Sequence, residues 1–252
     1  MATILRETVE ERITNGYKFD LGEYLSEGFQ LFQKEWVMFS LYGLVSSIIL
    51  VCSLFTVIGF AFVLYPTLLG FSIAAEKVEK EEPLEFNDFF AGFKNIGQHF
   101  VLGLIVLFSY ALIVAIYFGL IFFTVNRGGE SSNDPAMAMA GMGLMMIIIF
   151  VIVGGIYLLQ IALFFAPYLI HYGDYQAGEA IKKSFALSKK NFWWMLLFIF
   201  IVGVVAGIGQ YACVVGMFAT MAIGALMNYA LVKKTLMNNE HSEIDEIGST
   251  SY

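Results

Sequence analysis

Residues 36–75 read WVMFSLYGLVSSIILVCSLFTVIGFAFVLYPTLLGFSIAA, forty consecutive positions without Asp, Glu, Lys or Arg. A helix rises about 1.5 Å per residue, and a bilayer core of roughly 30 Å needs about 20 apolar residues to cross it. The stretch is about 60 Å long as helix, which is two crossings. The small and β-branched residues around Ser53–Thr56 are the expected place for the turn between them.

Three further blocks share this blankness, 95–126, 135–173 and 191–232, and the four together cover 153 of 252 residues. A charge at the centre of a membrane helix costs about 2.5–3.5 kcal/mol on insertion scales, so blocks this clean belong in lipid. Composition agrees. The chain is 59% hydrophobic with mean hydropathy +0.75 and 25 Phe, and a water-soluble domain of that content would expose large apolar patches. The 24 Gly against 4 Pro suit closely packed membrane helices. The net charge of −7 lies outside the blocks, and no basic face of useful size exists, which excludes nucleic acid as an expected partner. The N-terminal segment lacks a basic region followed by a short apolar run and a cleavage site, so the first block is expected to be an uncleaved anchor.

Block 191–232 also has the length of two crossings, with its turn expected near Gly207–Tyr211. Blocks 95–126 and 135–173 give one helix each, near 100–124 and 138–165, joined by a polar loop at 126–135 in which Asp134-Pro135 reads as a helix start. The expected fold is therefore all-α, a polytopic membrane protein with six transmembrane helices. Residues 1–19 form a polar N-terminal segment, 20–235 the membrane domain and 236–252 a polar, disordered tail. With six spans, 13 of the 14 Lys and Arg fall on one side and only Arg127 on the other. The positive-inside rule then places both termini in the cytoplasm.

A short amphipathic segment precedes each pair of spans. The first, opened by Asp20 and Glu23 as a capping box, carries Leu21, Tyr24, Leu25, Gly28, Phe29, Phe32 and Trp36 on one face. The second carries Phe86, Phe89, Phe90, Phe93 and Phe100. The third carries Ala177, Ala180, Ile181, Ser184, Phe185, Ser188 and Phe192. Residues 23–39 laid on 179–195 match Glu23 with Glu179, Phe29 with Phe185, Leu31 with Leu187 and Lys34 with Lys190; Gly92-Phe93 laid on Gly28-Phe29 extends the match. The expectation is three hairpins, each preceded by a cytoplasmic interfacial helix. Lys182, Lys183, Lys189 and Lys190 on the third are the candidate contacts to lipid headgroups.

Certain motifs carry a resemblance. Tyr65-Pro66-Thr67-Leu68-Leu69-Gly70 closes a span, and Phe86-Asn87-Asp88-Phe89-Phe90-Ala91-Gly92-Phe93 follows a charged linker. Later come Phe165-Ala166-Pro167-Tyr168-Leu169-Ile170 and Gly178-Glu179-Ala180-Ile181-Lys182-Lys183-Ser184-Phe185-Ala186-Leu187-Ser188. Over about residues 20–235 this order resembles poorly characterised bacterial integral-membrane proteins, the YciC-like proteins and the membrane domain found beside some glycerophosphoryl diester phosphodiesterases. The resemblance implies the bacterial cytoplasmic (inner) membrane. It implies no activity, because the phosphodiesterase catalytic domain is absent.

No catalytic, cofactor or metal motif is legible. His99, His171 and His241 are far apart in sequence, and no acidic, basic or His side chain falls inside the expected spans. Cys52 and Cys213 read as small buried apolar residues in preference to a disulfide. Gln160 reads as an interhelical hydrogen-bonding group or as a cavity wall. Gly203 and Gly207, one GxxxG step, and the stripe Gly216, Thr220 and Gly224 let helices, or a partner helix, approach closely.

Three functional readings follow. In the first, a non-enzymatic accessory subunit or scaffold packs with other membrane proteins and lipid. In the second, a transporter handles a lipid or apolar molecule, which requires a cavity near Gln160 and the Tyr residues. In the third, a membrane-surface enzyme brings Asp88, Asp174 and Glu179 together; the plain alternative for Asp88 and Asp174 is that they open amphipathic helices as caps. The first reading is preferred on sequence.

Overall fold

The structure, a computed structural model, describes residues 3–128, 135–212 and 214–237. The polar loop at 129–134, Cys213 and the tail beyond Met237 lie outside the described residues. So do the side chains of 57, 94–95, 123–142 and 212–215, and with them the expected cap at Asp134-Pro135.

The described regular structure is helical apart from one isolated bridge. In chain order the helices are α1 Arg6–Asn15, α2 Leu21–Lys34, α3 Trp36–Ser53, α4 Val57–Glu79, a 3-10 helix Phe86–Asn95, α5 Ile96–Gly128, α6 Pro135–Leu163, α7 Ala166–Gly173, α8 Ala177–Lys190, α9 Phe192–Ala212 and α10 Val214–Leu236. Among the described residues, six stretches are long and apolar enough to cross a membrane: α3, α4, α5, α6 continued through α7, α9 and α10. The chain is a multi-pass membrane protein by this measure. Large apolar side chains such as Phe108, Phe118 and Phe150 point outward along these helices, which a bilayer accepts and water does not.

The first turn falls where the sequence places it, between Ser53 and Val57. The last does not. α9 runs on through Gly207, Gly209 and Tyr211 to Ala212. Gly209 is used for close approach instead: a Cβ on it would stand 2.3 Å from the Gly216 carbonyl oxygen on α10. The fourth span also runs longer than expected. It breaks at Phe164–Phe165, just before Pro167, and resumes as α7 to Gly173. Asp174 does not open α8. It closes α7 in a left-handed conformation, φ 50°, while Gln176 caps α8.

Each spanning helix packs on its neighbour in a closed series: α3 on α4, α4 on α5, α5 on α6, α6 on α9, α9 on α10, and α10 back on α3. α4 and α10 also meet across the middle. Besides the α9–α10 contact at Gly209, two more seams of this ring are closed by glycine against backbone. Gly43 of α3 lies on the Phe218 carbonyl of α10, and Gly103 of α5 lies on the Ala61 carbonyl of α4, with built Cβ distances of 2.5 and 2.2 Å. The α6–α9 seam has no such contact. Gly203 of α9 has only the Tyr157 hydroxyl near, at 4.0 Å, and Gly154, Gly155 and Gly207 have nothing within 4 Å.

The amphipathic segments sit on the ends of these helices. Gly28 of α2 meets the backbone of Met227 on α10, and Gly92 of the 3-10 helix meets the Pro66 carbonyl on α4. Ser184 of α8 donates to the Ala162 carbonyl of α6 at 2.8 Å. The same hydroxyl accepts from the Phe165 N–H at 3.0 Å, which ties the α6–α7 break. The sequence match between residues 28, 92 and 184 is therefore matched in space: a small residue of each segment rests on a long helix. Three residues per turn in the 3-10 helix line up Phe86, Phe89 and Gly92. Phe89 is fully buried and stacks on Tyr42, ring centroids 4.3 Å apart.

α1 has no counterpart in the sequence reading of residues 1–19. It folds onto the charged face of α8. Arg6 pairs with Glu179, Lys183 with Glu10, and Lys190 donates to the Thr14 carbonyl. The Ile4 N–H donates to the Tyr172 carbonyl at 2.9 Å, and Ile4 bridges to Met237. Both ends of the described chain therefore lie together at one end of the bundle.

Candidate functional site: a cavity at the α6–α9 seam

Among the long helices lies a half-open cavity of about 390 Å³, with α6 and α9 both in its wall. Its walls come from α4, α5, α6, α7, α9 and α10. The volume lies within the range of small-molecule sites. The lining is mostly apolar, and no Asp, Glu, Lys, Arg or His contributes to it. Its polar groups are the amides of Gln160 and Asn228 and the phenols of Tyr65, Tyr110 and Tyr168. The cavity exists because small residues face each other where bulky ones would fill it: Gly203 and Ala206 on α9, Gly224 and Ala225 on α10. The break before Pro167 also swings Phe164, Pro167 and Tyr168 across the cavity floor beside α8.

The structure places the sequence-predicted residues as follows. Gln160, Gly203 and Gly224 line the cavity. Gln160 is exposed into it and makes no side-chain hydrogen bond among the described residues. Gly207 faces open space. Gly216 and Thr220 lie at the tight α9–α10 contact, where the Thr220 hydroxyl is within 2.9 Å of the Ala206 carbonyl and 3.0 Å of the Gly216 carbonyl. The four lysines of α8 divide into two faces. Lys183 and Lys190 are held by α1. Lys182 and Lys189 are exposed beside exposed Phe185 and take part in no ion pair among the described residues.

The three carboxylates of the enzyme reading stand in separate contacts. Asp88 accepts from the Glu85 N–H and pairs with Lys77, Glu179 pairs with Arg6, and Asp174 ends α7. Cys52 is an exposed free thiol on α3, contrary to the expectation of burial.

Two polar groupings escaped the sequence reading. One lies where α10 meets α2 and α4. Lys233 donates to Glu27 at 2.7 Å and to Glu79 at 2.6 Å, and the Tyr229 hydroxyl donates to Glu79 at 3.1 Å. The other pairs His99 of α5 with His171 of α7, ring centroids 6.0 Å apart, both buried. The spans are thus not free of titratable groups. α4, α5 and α7 extend past the expected ends and bury Glu76, His99 and His171. The one signal available was length: blocks 95–126 and 135–173 are each longer than one crossing. Among the described residues, no three His, Cys, Asp or Glu side chains form a group that could hold a metal ion.

Residues 53–215, more than half of the chain, match the family described as "Protein of unknown function (DUF4013)". The match runs from α4 to α9 and so includes every helix of the cavity wall except α10. Neither a curated protein nor a solved structure matches the chain. The chain belongs to the DUF4013 family.

Proposed function

We propose that this member of a family of unknown function is a lipid-handling protein of the cytoplasmic membrane. It takes the apolar chain of a membrane lipid sideways into the α6–α9 cavity and performs no bond chemistry on it. The cavity carries this reading. A tightly packed scaffold has no use for a half-open cavity of this size among its long helices. The absence of charge from the lining suits a hydrocarbon chain, and Gln160, Asn228 and the phenols offer hydrogen bonds to its ester region.

The arrangement behind it is three units, α3–α4, α5–α6 and α9–α10. Each is preceded by an interfacial segment that rests on the second span of the previous unit. The contacts of residues 28, 92 and 184 support that grouping. Glycine meets backbone between the first and second units and between the third and first, whereas α6 meets α9 without such a contact.

A phospholipid with a photoreactive diazirine near its chain end tests the reading. In nanodiscs its label should concentrate on cavity residues around Gln160 and Asn228. Gly203→Phe, placed where there is room for the ring, should remove that label. Even labelling of outward residues such as Phe108 and Phe150, with no excess in the cavity, would overturn it.

A further inference from the structure

We infer that the cavity selects an uncharged glycerolipid, a diacylglycerol, over a phospholipid; this inference rests on the cavity reading above. The depth of the polar groups in the cavity wall carries it. α4 ends at Glu79, α5 starts at Ile96, α7 ends at Gly173, α9 starts at Phe192 and α10 ends at Leu236. Contacts place these ends on one side of the bundle. Lys233 joins α10 to Glu79 of α4, His99 of α5 faces His171 of α7, and Ile4 joins Tyr172 of α7 to Met237. Asn191, just before α9, reaches the same side through the Tyr17 carbonyl.

Tyr65 lies 14 residues before Glu79, Tyr110 lies 14 after Ile96, and Gln160 lies 13 before Gly173. At about 1.5 Å per residue all three stand about 20 Å in, close to the middle of a core of roughly 30 Å. Asn228 and Tyr168 stand nearer the ends, about 12 and 8 Å in. Gln160, Tyr65 and Tyr110 make no side-chain hydrogen bond among the described residues. A polar group in hydrocarbon without a partner is costly, so three at one depth in one cavity wall call for a ligand that supplies the partners.

The polar end of that ligand must reach mid-membrane, which a charge forbids. The phosphate of a phospholipid keeps its ester groups in the headgroup layer, and no Lys, Arg or His lines the cavity to pair with a phosphate drawn inward. A phospholipid therefore offers the cavity its chain alone. A diacylglycerol carries no charge. Its ester carbonyls accept from the phenols and the amide N–H groups, and its hydroxyl donates to an amide oxygen. An isoprenoid quinone is also uncharged, but its ring only accepts and offers no donor to the Gln160 and Asn228 amide oxygens. Each hydrogen bond contributes about fivefold, so one to Gln160 and one to Tyr110 favour the diacylglycerol by about twenty-five-fold.

Diacylglycerol and phosphatidylcholine probes with the same chain-end diazirine, each in phosphatidylcholine nanodiscs, test this. Cavity label is read against label on the outward residues Phe108 and Phe150. The unaltered protein should show strong enrichment of the diacylglycerol over the choline probe. Tyr110→Phe should lower that ratio about fivefold, and Gln160→Leu/Tyr110→Phe should bring it close to one. Cavity labelling by the choline probe should persist in both and report an intact fold. Tyr117→Phe, on α5 but outside the cavity wall, should leave the ratio unchanged. Equal enrichment of the two probes in the unaltered protein overturns the diacylglycerol assignment and leaves the cavity reading standing. So does a ratio that Tyr110→Phe leaves unchanged or that Tyr117→Phe lowers as much. Greater enrichment of an isoprenoid quinone with the same reporter overturns it in favour of the quinone. Labelling of the cavity no stronger than of the outward residues, with every probe, overturns the cavity reading itself.

Discussion

Gly103 of α5 lies so close to α4 that a methyl group on it would stand 2.2 Å from the carbonyl oxygen of Ala61. Neither atom can yield without moving a helix, because the contact is backbone on backbone. Gly103→Ala should therefore lower stability by about 1–3 kcal/mol, the usual cost of overpacking. Gly207→Ala is the control. Nothing stands within 4 Å of that position, and alanine is the better helix former by up to about 1 kcal/mol. Thermal unfolding of both variants in one detergent should move in opposite directions. Equal shifts would remove the distinction between sealed and open seams.

Lys233 holds three helix ends together through Glu27 of α2 and Glu79 of α4, its own side chain only 16% exposed. Removing one member of such a cluster leaves the other charges buried and unpaired. Lys233→Met should cost about 3 kcal/mol. Adding Glu27→Gln and Glu79→Gln to that variant should recover part of the loss, since the orphaned charge goes with the carboxylates. A triple variant less stable than the single one would mean that the carboxylates' other contacts, Glu79 with Tyr229 and Glu27 with Lys234, outweigh those to Lys233.

The difference between what sequence shows and hides is physical. Charge-free length reports the cost of lipid, so the six spans and the turn after Ser53 were legible. Glycine is ambiguous, because it serves turns and close approaches alike. The run around Gly207 and Gly209 reads as a turn, yet Gly209 is where α9 meets Gly216. α1 was hidden because its stability comes from pairing with α8, and only Val9 of it is buried. The cavity was half legible. Gln160 and the tyrosines marked its place, but the convergence of six helices around them is a tertiary fact. His99 and His171 were illegible, being brought together only by the packing of α5 on α7.

That histidine pair makes its own prediction. Both ring nitrogens of both residues are buried without a hydrogen-bond partner, and a neutral imidazole carries one donor and one acceptor. Each unmet group costs about 1–3 kcal/mol, whereas an apolar ring of similar shape carries no such penalty. His99→Phe and His171→Phe should unfold at the same temperature as the parent or above it. His99→Ala should fall by about 2–4 kcal/mol through the void it leaves. Phe variants that lose as much as the Ala variant would show that the imidazoles meet a polar partner in the membrane.

Orientation in the membrane can be read from two single cysteines. Ile4, Tyr172 and Met237 meet at one end of the bundle, and an even number of spans returns the chain to the side where it entered. With six spans, 13 of the 14 Lys and Arg would fall on that same side, so the proposal puts it in the cytoplasm. In a background with Cys52 and Cys213 replaced by Ala, Ser131→Cys should react with a membrane-impermeant maleimide added to intact cells. Ser242→Cys should react only after permeabilisation. The opposite pattern would turn the protein over.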